Sequence, residues 1–422
     1  MPAQASAAHR HASPATPNQA VAFVVALAEA LIRAGDPEGL VQPRVARIAN
    51  VYGVPEAHVV VLPNFTLAAA RRGAAVELDS TAPNAVGLRL DQMAAIERVA
   101  RLADTGGVEP GEGLRQLDEA QSLKHRFGGV GLACGQVVIT LGLCLILQPT
   151  AIVLLASAVF GGLVGLMELR ARTAPTLRAL LPITAATLVS LIAFAVAPNT
   201  ASQESLRALI PPLVTFLPGG LITSGTLDLA VGHVISGASR LVAGTMQLVL
   251  LTLGIAIGAM LAGVNVGAAT TNTPINTLGP WAPWLGAIVF GLGCYVRFSG
   301  PPHSLGWLLV VLLSALIGEQ LGAKLLSSQM GAFVGAFVMT PVAAWVEGRP
   351  SAPPSLATLM PAFWLLVPGA VSLIGVAQFA GSRDPAGLGN MLNALVTFIL
   401  IALGVFVGNA FVVHVRTRRP AA

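Results

Sequence analysis

Charge is what this chain has least of. Only 10% of its 422 residues are charged, against about 25% in an ordinary globular chain, and a soluble protein of this length is thereby excluded. Cysteine is scarce as well. Cys134, Cys144 and Cys294 all lie inside apolar runs without metal-ligand spacing, so no disulfide and no metal site is expected, and the three read as small buried hydrophobes. The stretch from Met1 to Asn18 lacks the basic start and apolar core of a secretory signal. It is expected to be disordered, with the part that follows it in the cytoplasm. Asn64-Phe65-Thr66 matches a glycosylation sequon, but nothing else indicates secretion, and the match reads as chance.

What the chain has in abundance is apolar sequence, at 55%. The 43 charges are unevenly spread, with 25 in the first 126 residues and 18 in the remaining 296. A soluble head and a membrane body follow. The net charge of +5 divides into 12 basic and 13 acidic residues up to Arg126, and 12 basic against 6 acidic beyond it. Basic residues in short loops between apolar runs hold the cytoplasmic ends of helices, so the surplus points to a lipid bilayer and away from nucleic acid.

The head, residues 19–126, is expected to be a small α+β domain. Ala20 to Ala34 and Leu40 to Tyr52 show helical spacing and end at Gly35 and Gly53. His58 to Leu62, Phe65 to Ala70 and Ala74 to Leu78 read as short antiparallel strands, with a turn at Arg71-Arg72-Gly73. Leu90 to Ala103 and Gly113 to Leu123 return to helix. No phosphate loop, zinc spacing or nucleophile beside a base occurs, and His58 and His125 stand alone. A regulatory or assembly role is the reading.

In the body, the 41 residues from Phe127 to Met167 contain no charge, about twice a bilayer span. Two helices are expected there. Further spans are read near Ala179 to Ala197, Leu206 to Ala230, Leu241 to Gly263, Trp284 to Phe298, Leu305 to Leu321, Met330 to Val346, Leu356 to Phe379 and Leu388 to Val413. These make about ten transmembrane helices. They form two sets of five, in residues 127–263 and 284–415, separated by an external loop over 264–283 and followed by a basic tail over 416–422. Cytoplasmic loops would then hold eleven basic residues against three outside, which places both termini in the cytoplasm.

Five helices per set make the halves run in opposite directions. At an offset of 150 residues, Pro218-Gly219 falls on Pro368-Gly369, Gly254 and Gly258 on Gly404 and Gly408, Asp228 on Gln378 and Arg240 on Asn390. Two inverted five-helix repeats are therefore expected, an architecture that recurs among transporters.

Proline inside an apolar span removes a backbone donor, and in lipid the freed groups need partners in a protein-lined cavity. The sequence around Pro218 is a candidate broken helix. Its second piece, beginning at Gly220, would present N–H groups to a carboxylate, with Thr223 and Ser224 adding hydroxyls. Gly220, Ser224, Asp228, Gly232, Ser236 and Arg240 recur at i+4. The expected substrate-binding residues are Gly219, Gly220, Thr223, Ser224, Asp228, Gly369 and Gln378. Asp228 is also the expected proton carrier, with an interfacial charge near the cytoplasmic boundary as the alternative reading, while Pro218, Ser236, Gly237, Arg240, Pro368 and Asn390 are expected in structural or gating roles. Glu168 and Glu319, closing the second span of each half, read as interfacial anchors.

The succession Leu217-Pro218-Gly219-Gly220, Thr226-Leu227-Asp228-Leu229, Ser236-Gly237-Ala238-Ser239-Arg240-Leu241 resembles the threonine/serine exporter family, ThrE, as does the order of elements in the head. The resemblance spans nearly the whole chain. It implies a plasma-membrane exporter of threonine and serine, multi-pass and bacterial, driven by the proton motive force, with no catalytic residues and no cofactor. The family commonly has Asn and Arg shortly before the Asp, where this chain has Gly225 and Thr226. Relatives with the halves on separate chains are associated with dicarboxylate export, so a succinate-like substrate is the nearest alternative. A membrane-embedded enzyme or regulatory membrane protein is the alternative from another class, against which stands the absence of any nucleophile and base pair. Partners are the substrate, protons, the bilayer and, as an open alternative, a second copy of the chain.

Overall fold

The computed structural model describes residues 17–36, 38–54, 57–62, 65–72, 75–81, 88–147, 150–196, 203–264, 278–349, 352–366 and 385–418. It separates into two compact units. One comprises Met1–Leu88 with Ala95–Leu123, and the other Arg89–Ala94 with Lys124–Ala422.

The first unit contains α1 (Pro17–Arg33), α2 (Glu38–Val51), strands β1 (Ala57–Leu62), β2 (Phe65–Arg72) and β3 (Ala75–Thr81), most of α3 (Leu90–Asp104) and α4 (Pro110–Ser122). The strands form an antiparallel sheet in the order β1-β2-β3, and Leu62 pairs with Phe65. β2 runs on through Arg72, so the turn expected at Arg71 starts later: Arg71 and Arg72 still pair with Val76 and Ala75. α1 is apolar nearly all round and buries Phe23, Val24, Leu27 and Leu31, as befits a helix at the centre of a core. Arg44 of α2 makes a bidentate pair with Glu97 at 2.8 and 3.0 Å and reaches Asp104 at 2.8 Å, both on α3. Burial opposes the charged form of Arg44, but these two carboxylates hold its guanidinium above its ordinary value.

The second unit holds α5 (Gly128–Ile146), α6 (Ala151–Ala171), α7 (Pro175–Val196), α8 (Gln203–Leu213), α9 (Gly219–Ala230), α10 (Val234–Leu261), α11 (Ala282–Arg297), α12 (Leu305–Leu325), α13 (Ser328–Glu347), α14 (Ser355–Leu366) and α15 (Pro385–Arg418). Among the described residues seven helices are long and apolar enough to cross a membrane. The bent pair α8 and α9 brings this to eight if it is one span. α11 and α14 are apolar but shorter, so ten full-length helices are not what the described residues contain. The outer surfaces of α10 and α15 expose Val242, Met246, Leu395 and Phe406, which a bilayer would cover and water would not. This is a membrane protein.

Glycines set how these helices meet, because without a hydrophobic force between helices in lipid, close backbone approach supplies the packing. A side chain at Gly254 of α10 would meet the Ile183 carbonyl at 2.6 Å and the Ala186 Cβ at 2.8 Å on α7. One at Gly404 of α15 would meet the Phe333 carbonyl at 2.5 Å and the Ala336 Cβ at 2.8 Å on α13. Each partner stands 150 residues beyond its counterpart. Gly258 and Gly408 continue the match, against the carbonyls of Thr187 and Phe337. The two pairs, α7 with α10 and α13 with α15, are thus packed through the same positions.

Where the chain enters the body, His125 donates through Nε2 to the Arg297 carbonyl at 2.8 Å, and its Nδ1 accepts from the Phe127 N–H at 3.2 Å. Acceptance at Nδ1 requires the neutral ring, and burial lowers the His125 pKa from its ordinary value although the bond to the Arg297 carbonyl opposes the shift.

Candidate transport site at a broken helix

Three prolines disrupt the stretch from α8 to α9. Pro211 and Pro212 sit inside α8, the chain tightens into a 3-10 turn over Val214–Phe216, and Pro218 precedes α9. The two helices meet at a bend of 56°. Proline nitrogen cannot donate, so carbonyls around the break lose their helical partners. Neighbouring helices supply replacements. Ser157 of α6 lies 3.4 Å from the Ala208 carbonyl, Gln136 of α5 donates through Nε2 to the Pro212 carbonyl at 2.9 Å, and Gln247 of α10 donates to the Phe216 carbonyl at 2.7 Å. Three helices thus brace the break.

On the donor side the pattern is the reverse. The first helical bond of α9 runs from the Ile222 N–H to the Pro218 carbonyl at 3.0 Å, so the N–H groups of Gly219, Gly220 and Leu221 have no acceptor within the helix. They carry the positive end of the helix dipole. Gly220 is half-buried, and a Cβ there would lie 3.8 Å from the Met360 sulfur of α14, in ordinary contact. The Thr215 and Thr223 hydroxyls, one on each side of the break, are buried and make no hydrogen bond among the described residues. Ser224 is half-buried beside them. Free N–H groups and buried hydroxyls make a place suited to a small anion that also bears hydroxyl or other polar groups.

The i+4 series from Gly220 to Arg240 is shared between two helices, Gly220, Ser224 and Asp228 on α9 and Ser236 and Arg240 on α10. α9 ends in a Schellman turn, with His233 N–H bonded to the Asp228 carbonyl at 2.8 Å, Gly232 N–H to Leu229 at 3.1 Å and Gly232 at φ 93°. The chain then doubles back into α10. Gly225 and Gly237 let the two backbones touch, since a Cβ at Gly237 would stand 2.7 Å from the Gly225 carbonyl. Within this hairpin the Arg240 Nε lies 3.4 Å from the Asp228 carboxylate, both side chains buried. Ser236 is buried as well.

Gly219, Gly220, Thr223 and Pro218 are therefore brought together at the break, while Ser236, Gly237 and Arg240 gather around Asp228. The two groups are separate. Asp228 stands eight positions along the helix from Gly220, about 12 Å, and an amino acid carries its carboxylate and ammonium on one carbon. Asp228 cannot reach the ammonium of a substrate whose carboxylate sits at Gly220, and its charge is balanced by Arg240 instead. Pro368, Gly369 and Gln378 lie outside the described residues, as does most of the loop over 264–283; Asn390 belongs to α15, without a described side chain.

Glu168, expected as an interfacial anchor, makes a bidentate pair with Arg297 at 2.6 and 2.9 Å. Arg297 is buried at 5% exposure, so this is an internal tie between α6 and α11 and not a snorkelling end. Gln136, Ser157, Gln247 and Arg297 carry no role in the sequence reading. One signal was available: Gln136 stands in the 41-residue run without charge, where a polar amide needs a partner.

Compared with known proteins, residues 22–262 match a model of the family ThrE, described as "Putative threonine/serine exporter". The match covers more than half of the chain. The protein belongs to the threonine/serine exporter family. No curated protein and no solved structure matches it. The matched part of this ThrE member takes in the head and the broken helix with its hairpin, and ends beside Gly263. The sequence resemblance, expected over nearly the whole chain, is borne out up to that point, and residues 263–422 lie beyond it. Among the described residues no three His, Cys, Asp or Glu side chains come together as a metal site.

Proposed function

We propose that this protein is a secondary active exporter of threonine and serine, driven by the proton motive force, and that it is not an enzyme. The observation that carries this reading is the break between α8 and α9. Its carbonyls are satisfied from α5, α6 and α10, while its N–H groups at Gly219 and Gly220 lack a helical acceptor and its Thr215 and Thr223 hydroxyls have no partner among the described residues. An α-carboxylate fits the N–H groups. A threonine or serine hydroxyl, both donor and acceptor, satisfies Thr223 or Ser224.

Asp228 and Arg240 act together in this reading, holding α9 on α10 so that the hairpin moves as one piece. The 150-residue recurrence of the α7–α10 packing in α13–α15 supports two inverted repeats, with Pro368-Gly369 as the second break and alternating access by rocking of one repeat against the other. Basic residues between spans favour a bacterial plasma membrane location with both termini in the cytoplasm. The head tunes or assembles the transporter.

Inside-out vesicles supplied with labelled threonine, serine or succinate in the medium test the reading. A proton gradient is expected to drive accumulation of the two amino acids. Accumulation of succinate alone would replace it with dicarboxylate export, and chemical conversion of the label would replace it with an enzyme.

A further inference from the structure

Beyond Arg126 the chain has six acidic residues: Glu168, Glu204, Asp228, Glu319, Glu347 and Asp384. Among those placed within the membrane helices, Glu168 faces Arg297 and Asp228 faces Arg240. Binding a proton at either would leave a buried guanidinium without its counter-charge, a costly state. Glu319 differs from both. It lies in α12, six residues before the helix ends at Leu325, about 9 Å inside, and among the described residues no cation or hydrogen-bond donor pairs with it.

Its side chain is half-buried in an apolar setting, and its backbone is tightly packed. On the same helix Ala315, Gly318 and Gly322 are buried. Across from it, Gly331 and Gly335 of α13 bring backbone against backbone, since a Cβ at Gly331 would stand 2.7 Å from the Glu319 carbonyl and one at Gly335 3.2 Å from the Glu319 nitrogen. Gly335 also touches Leu366, the last residue of α14. The charged groups on these elements lie elsewhere. α13 has only Glu347 at its far end, α14 has none, and the Arg297 of α11 is engaged with Glu168. α15, packed on α13 near Phe333, carries His414, Arg416 and Arg418 in its final turns. Lys324 is five residues further along α12 and exposed. A lone carboxylate in such a place is stable when uncharged and costly when charged, so its proton occupancy and the packing of α12 on α13 are linked.

We propose that Glu319 is the residue that binds the coupling proton, in place of Asp228. This rests on the exporter reading. The carboxylate takes one proton from the outer aqueous phase to become the neutral acid and releases the same proton on the inner side, with no other bond made or broken. Asp228 keeps its pairing throughout.

In proteoliposomes, Glu319→Gln is expected to lose gradient-driven threonine accumulation while keeping threonine–threonine exchange, which needs no net proton movement; Glu319→Asp is expected to restore accumulation. Undiminished accumulation by Glu319→Gln would overturn the proposal, and so would loss of exchange in both variants, which would make Glu319 a structural residue. Infrared titration of the purified protein decides the matter without substrate. A titrating protonated-carboxyl band is expected in the unaltered chain and in Asp228→Asn, and not in Glu319→Gln. Persistence of the band in Glu319→Gln would count against Glu319 alone, whereas an unaltered protein that moves no threonine or serine would count against the exporter reading.

Discussion

The first half of the body, α5 to α10, and the second, α11 to α15, share one packing scheme and differ in what they do with charge. α7 against α10 and α13 against α15 meet through glycines at matched positions. Yet α6 packs back onto α5, with Gly161 and Gly165 against Thr140 and Ala133, whereas α12 packs forward onto α13 through Gly318 and Gly322. The acidic residue near the end of α6 reaches Arg297, and the one near the end of α12 reaches no cation among the described residues. A repeated scaffold therefore leaves room for unlike roles. The first half carries a braced break and engages Glu168 and Asp228 in ion pairs, and the second holds a carboxylate free to change its charge.

The sharpest test of that contrast is stability. Arg297→Ala removes a buried partner and leaves Glu168 with nothing to neutralise it, and breaking a buried pair costs about 3–5 kcal/mol. With Glu168 about a quarter exposed, the lower end is expected. Glu168→Gln should also be clearly destabilising, contrary to its reading as an anchor, while Glu319→Gln should leave the melting temperature in detergent unchanged or raised. Equal losses at Glu168 and Glu319 would erase the distinction.

A second pair of variants tests the shared scheme. Gly254→Ala and Gly404→Ala place a methyl against equivalent carbonyls, at 2.6 and 2.5 Å, and each should cost about 1–3 kcal/mol through overpacking. Thermal denaturation should shift by similar amounts in the two. A large shift in one and none in the other would break the equivalence of the halves.

Much of this was legible in the sequence. The uneven charge separated head from body, helical periodicity located the head helices, and Pro218 marked the break. Ion pairing was not legible, because Glu168 and Arg297 are 129 residues apart and periodicity reports which face is apolar without saying which helix covers it. The break in the i+4 series from Gly220 to Arg240 has a local reason. Gly232 permits a left-handed turn between the spans read to Ala230 and from Leu241, and the turn folds the series into a hairpin. Carbonyls freed by Pro212 were inferable from proline chemistry, but Gln136 and Gln247 as their partners were a matter of three-dimensional placement.

The smallest expected effect lies where the halves are tied, at His125. Its pKa is lowered in the folded protein, so the unfolded chain takes up the proton first as pH falls. Its contribution is full above its ordinary value near 6.5 and is lost as pH drops below that toward the folded value. Protonation would also forbid Nδ1 from accepting the Phe127 N–H. Melting temperatures from pH 7.5 downward should fall for the unaltered chain and less steeply for His125→Gln; identical slopes would remove His125 from the account.

If substrate sits at the start of α9, a single thiol placed there reports it most directly. With Cys134, Cys144 and Cys294 replaced by alanine, Gly220→Cys adds a side chain that the 3.8 Å gap to Met360 accommodates. Threonine and serine are expected to slow its reaction with a small thiol reagent, and not to slow the same reagent at Gly232→Cys, on the exposed turn at the other end of α9. Equal labelling of Gly220→Cys with and without threonine, in protein that still transports it, would contradict the claim.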